Sequence, residues 1–142
     1  MPDSCVNINS NLITPKVMYQ RQVSFTEAVK RALTVNYCNF NGRSSRSEYW
    51  WYALAMLILN VILTLITGHH ETASAVIGTI VGLALLLPGL GLAVRRMHDI
   101  NKSGWWILIN LIPVVGNIIF IIFACKDSDP YPNQYGPVPN VA

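Results

Sequence analysis

The chain has 142 residues, of which 10 are Lys or Arg and 7 are Asp or Glu, a charged share of 12% against 52% hydrophobic. Soluble domains carry roughly 25% charged residues, and disordered chains combine low hydrophobicity with high charge, so both classes are excluded. The length suits one domain, and the net charge of +3 comes without any nucleic-acid-binding motif.

Residues 1–23 are rich in Asn and Ser, contain Pro2 and Pro15, and are expected to form a flexible arm. The residues before the first span hold no continuous apolar run, so no cleavable signal is expected and the first span is expected to serve as its own insertion signal. At Ser24-Phe25-Thr26-Glu27 the spacing is that of a capping box, in which the hydroxyl and the carboxylate satisfy each other's helix-end donors. A short amphipathic helix over 24–35 follows, with Phe25, Ala28, Val29, Ala32 and Leu33 on one face and Lys30 and Arg31 elsewhere. That face suits either a membrane surface or the chain's own spans. After a loop over 36–44, a second capping box, Ser45-Arg46-Ser47-Glu48, stands at the mouth of the first apolar stretch.

Three stretches carry no charge: 49–70, 72–94 and 103–125, of 22, 23 and 23 residues. As helices they would be roughly 33 Å long, against a hydrocarbon core of about 30 Å. The expected fold is an all-α integral membrane protein with three transmembrane helices, at about 49–68, 73–94 and 103–125, inside a membrane domain over 24–126. Pro88, Gly89 and Gly91 are expected to kink or break the second span near its end. Pro113 and Gly116 fall in the middle of the third and free backbone groups there. Residues 127–142 hold four of the eight prolines and read as an extended polar tail.

Six Lys and Arg precede the first span, three lie between the second and third, and one follows the third. The positive-inside rule therefore places the N-terminus and the 95–102 link in the cytoplasm. Three spans put the tail outside; a third segment turned back at Pro113 and Gly116 would return it to the cytoplasmic face.

On the cytoplasmic face gather Tyr49, Trp50, Trp51, Tyr52, Trp105 and Trp106, with Arg43, Arg46, Arg95, Arg96 and Lys102 around them. Such a belt anchors a protein at the headgroup level, and its cations also suit an anionic lipid or a partner protein. Glu48 and Asp99 would orient the arginines by ion pairing. His98 beside Asp99 has the chemistry for proton transfer or a metal, yet neighbours on a helix do not face each other and a metal wants three or four ligands. A structural hydrogen bond is the expectation for His98, with neither cofactor nor metal. Cys5, Cys38 and Cys125 lack metal or disulfide spacing and are expected as free thiols.

Ser74, Gly78 and Gly82 form a small-residue row that admits another helix closely, from this chain or from a second copy. Asn60, Asn110 and Asn117 within the spans are expected to hydrogen-bond between helices, or else to line a polar pathway.

Three motifs carry a resemblance: Phe40-Asn41-Gly42-Arg43-Ser44-Ser45-Arg46-Ser47-Glu48-Tyr49-Trp50; Arg95-Arg96-Met97-His98-Asp99 leading into Ser103-Gly104-Trp105-Trp106; and Asn133-Gln134-Tyr135-Gly136-Pro137. They resemble the bacterial small inner-membrane family known as domain of unknown function 805, over about 25–139. Met97 stands where such proteins usually have Leu, and 127–130 lack the expected glycines. The resemblance implies an integral protein of the bacterial inner membrane and no activity. Together these features lead to a non-enzymatic membrane protein whose basic aromatic face binds anionic phospholipid or a membrane protein partner. The alternative is an oligomeric pore or small-solute carrier.

Overall fold

The computed structural model describes residues 22–68 and 70–139. The expected arm up to residue 21, with Cys5, lies outside the described residues, as do His69 and residues 140–142.

Helix α1 covers Phe25–Leu33, and its N-cap is the expected Ser24, whose hydroxyl accepts from the Glu27 amide. Its two buried residues are Ala28 and Ala32, small enough to bring the helix close to its neighbours, while Phe25 meets Trp51 edge to face at 5.8 Å. Helix α1 thus packs against the chain's own long helices, the second of the two expectations.

Helix α2 covers Arg46–Thr67, capped by the Ser45 hydroxyl accepting from the Glu48 amide and ended at Gly68. Helix α3 covers Glu71–Asp99. At 22 and 29 residues they are about 33 and 43 Å long, and both are apolar enough to cross a bilayer.

Helix α3 runs unbroken through Pro88, and it also takes in Arg95 to Asp99, which corrects the expectation of a link there. Pro88 has no N–H for the carbonyl of Ala84, and the Tyr37 hydroxyl donates to that carbonyl instead. One residue further on, the Tyr52 hydroxyl donates to the Leu85 carbonyl at 3.3 Å. Two tyrosines therefore satisfy the carbonyls at the proline. The helix stops at Asn101, whose φ of 57° lets the amides of Asn101 and Lys102 bond back to the carbonyls of His98 and Met97, at 3.0 and 2.9 Å. Between α1 and α2, the loop crosses α3 at Gly91, where a Cβ would stand 2.9 Å from the Asn39 carbonyl.

The third apolar stretch is not one helix. A 3-10 segment, Gly104–Leu111, leads through a reversal into helix α4, Val115–Cys125. Ile112 is extended, as a residue before proline prefers, and Val114 takes φ 65° and ψ −64°, with the Val115 amide donating to the Pro113 carbonyl at 2.8 Å. The two limbs then lie against each other, so closely that a Cβ on Gly116 would fall 1.7 Å from the Ile109 carbonyl. Limbs of 8 and 11 residues are each about 16 Å long, half of a hydrocarbon core. The continuous third span is replaced by a helical hairpin.

The enclosed core lies at one end of the molecule. Ala32, Tyr52 and Leu92 form one cluster, and Met97, Phe120 and Ala124 form another.

Candidate functional site

Both ends of the hairpin return to the last turns of α3, and there the charged side chains expected to face outward are buried. Asp99 is fully enclosed between two guanidiniums. Arg43 Nε donates to Asp99 Oδ1 at 3.0 Å, and Arg96 Nη1 pairs with Oδ2, which also accepts from the Ser128 hydroxyl.

Two cations on one carboxylate leave a surplus positive charge in a desolvated place, and backbone carbonyls offset it. Arg96 donates to the Ala124 carbonyl at 3.1 and 3.2 Å and to that of Lys126, which is the negative end of the α4 dipole. Arg43 donates to the carbonyls of Asp129 at 2.6 Å and Tyr131 at 2.8 Å. Each guanidinium thus holds a different stretch of chain against α3.

His98 continues the cluster. Its Nδ1 lies 3.1 Å from the Gly42 carbonyl and so carries the proton there, and its ring stacks on Tyr135 at 3.9 Å and 4°. Asn133 donates to the His98 carbonyl at 3.0 Å. The tail is folded over the end of α3 rather than extended away from it. Beside this cluster, buried Glu48 meets Arg95 at 3.5 Å; the Nε and Nη2 of Arg95 have no hydrogen-bond partner among the described residues.

The expected basic face therefore divides in two. Arg43, Arg95, Arg96, Glu48, His98 and Asp99 are buried inside the fold. Arg46 is exposed and pairs with Asp127 at 2.8 Å. All four tryptophans are exposed, Trp105 most of all at 77%. Lys102 stands 5.7 Å from the Trp106 ring and Lys126 5.7 Å from the Phe123 ring, and a shallow groove of about 250 Å³ opens between Ser103, Trp105, Trp106 and Ile109.

The other expected packing residues are not brought together. Asn60, Asn110 and Asn117 are exposed on α2, the 3-10 limb and α4, with no side-chain hydrogen bond found to another described residue. The reversal at Val114 removes the common face that Asn110 and Asn117 would share on one helix. Gly78 and Gly82 face open space. Cys38 and Cys125 are exposed free thiols, and no three metal-ligating side chains meet among the described residues.

Sequence reading assigned no role to Tyr37, Ser128 or the Asn133 to Gly136 turn. The signal for Tyr37 was a proline inside a long apolar helix, which calls for a donor from elsewhere. For the tail, it was a third motif with no purpose of its own. In the structure the three motifs meet at Asp99 and His98.

These features define a small all-helical membrane protein, with two long apolar helices, a helical hairpin and a buried ion-pair cluster. Residues 37–137 match the family described as protein of unknown function DUF805, and the chain belongs to that family. It is 36% identical over 110 residues to inner membrane protein YhaH of Escherichia coli K12, covering 75% of this chain and 91% of that one. It is 35% identical over 101 residues to inner membrane protein YhaI of the same strain, covering 71% and 86%. No solved structure matches.

Proposed function

We propose that the chain is a non-enzymatic, multi-pass protein of the bacterial inner membrane that holds anionic phospholipid headgroups at a cationic aromatic collar on its cytoplasmic side. Helices α2 and α3 cross, and the hairpin enters and leaves on the side of Asp99, so the N-terminus and the tail share the cytoplasmic face that the distribution of Lys and Arg selects. The relatives' names support the inner membrane.

The observation that carries the lipid reading is the pair Lys102 and Lys126, each seated over a ring of the hairpin at 5.7 Å and outside the buried cluster. An ammonium over an aromatic face at the mouth of an apolar groove suits a lipid phosphate above acyl chains. Each lysine near an anionic surface contributes about 1 kcal/mol. The arginines of the cluster act in this account as ties that hold the collar in shape.

The test is the lipid bound by protein purified from native membranes and re-equilibrated with phosphatidylglycerol and phosphatidylcholine. Lys102→Gln with Lys126→Gln is expected to lose the preference for phosphatidylglycerol while the melting temperature holds. An unchanged preference in that double variant contradicts the reading.

A further inference from the structure

We infer that the molecule is a wedge across the bilayer, wide at its Asp99 end, and that it seats preferentially where the leaflet on that side is convex. The inference rests on the two-span, same-side reading above. Its basis is the uneven enclosure of the two long helices. In α3 the buried residues are Pro88, Gly91, Leu92 and Arg95 to Asp99, all in the last part of the helix, and in α2 Glu48 and Tyr52 lie at the corresponding end. At the other end Leu65 and Ile66 of α2 are 76% and 74% exposed and Val76 and Ile77 of α3 are 53% and 39% exposed, and Thr67 alone is buried there on α2.

Helix α1 and both limbs of the hairpin pack around α2 and α3 at the wide end, and among the described residues only α2 and α3 reach the narrow one. A helix with its side chains is about 10–12 Å across, so one leaflet accommodates three more of the described helical segments than the other. The hairpin loads that leaflet alone, because neither limb is long enough to cross. Its reversal is apolar and open, with Leu111 79%, Ile112 54% and Val114 67% exposed, a surface that belongs among acyl chains.

The wedge is also rigid. Arg96 fastens the end of α4 to α3, and Arg43 fastens the tail, so the hairpin cannot swing away without unpairing buried charge. Apolar volume inserted on one side spreads that leaflet against its partner, and convex curvature relieves the mismatch; amphipathic segments lying in one leaflet are curvature-sensitive for the same reason.

The experiment reconstitutes the full chain, with an epitope at each terminus, into small sonicated and large extruded vesicles of one phosphatidylethanolamine and phosphatidylglycerol mixture, and adds protease outside. In every molecule both epitopes should be cut or both protected, and the cut fraction should shift upward in the small vesicles, where the outer leaflet is the more convex. Equal cut fractions in the two sizes overturn the wedge and leave the same-side reading standing. Molecules that keep one epitope and lose the other overturn both.

Discussion

The rings of Trp106 and Phe123 meet edge to face with centroids 5.5 Å apart, although the residues are 17 positions apart in an uncharged stretch. On a straight α-helix they would be separated by about 25 Å. The contact is therefore a direct reading of the hairpin, and it brings the end of the stretch back to Arg96.

Closure of the hairpin depends on Gly116. Gly116→Ala puts a methyl into the Ile109 carbonyl, and overpacking of this kind costs about 1–3 kcal/mol or more. Thermal unfolding in detergent should show a clear loss for Gly116→Ala. Gly78→Ala, in open space on α3, should show none, since Ala is the better helix former by about 1 kcal/mol. Equal effects at the two positions would contradict the hairpin packing.

Asp99→Asn leaves Arg43 and Arg96 facing each other without their carboxylate. Removing one partner of a buried ion pair costs about 3–5 kcal/mol, whereas an exposed pair is worth about 0–1 kcal/mol. Arg46→Gln, which breaks the exposed pair with Asp127, should thus be nearly neutral in the same melts. If Arg46→Gln proved as damaging as Asp99→Asn, the buried cluster would not be the centre of stability.

Tyr37 and Pro88 should be coupled. Tyr37→Phe removes the donor to the Ala84 carbonyl at a cost of about 1–3 kcal/mol. In a Pro88→Ala background the helix supplies its own N–H to that carbonyl, so the same change should cost much less. A double-mutant cycle measures the difference, and additive effects would mean that the hydroxyl is not compensating for the proline.

The tail is held by Tyr135 stacked on His98 and by Asn133 on the His98 carbonyl. Tyr135→Ala with Asn133→Ala should expose residues beyond Tyr131 to limited proteolysis in detergent, while Arg43 still holds Asp129 and Tyr131 and the membrane helices stay intact. A tail as resistant as that of the unaltered chain would show that these contacts do not secure it.

Local features were legible in the residues. Ser24 and Ser45 cap the helices their spacing implied, because an N-cap hydroxyl finds its backbone amide three residues on. Pro113 and Gly116 marked the place where the third stretch turns, with the hairpin as one of two outcomes. The burial of the arginines was not legible, since their partners come from far along the chain: Arg43 reaches carbonyls 86 and 88 positions away. That Pro88 leaves the helix unbroken was not legible for the same reason, its remedy being a tyrosine from a separate loop. Asn60, Asn110 and Asn117 gave the opposite lesson, because a polar residue in an apolar stretch signals a need for partners without saying whether this chain supplies them.

The central claim is that the third apolar stretch turns back, so that both ends of the chain lie on one side of the membrane. It is tested most directly by fusing, to the N-terminus and separately to the C-terminus, a reporter active only in the cytoplasm. Activity from both fusions is the predicted result; an N-terminal fusion that is active beside a C-terminal fusion that is silent, yet active once moved outside in a periplasm-competent form, contradicts it.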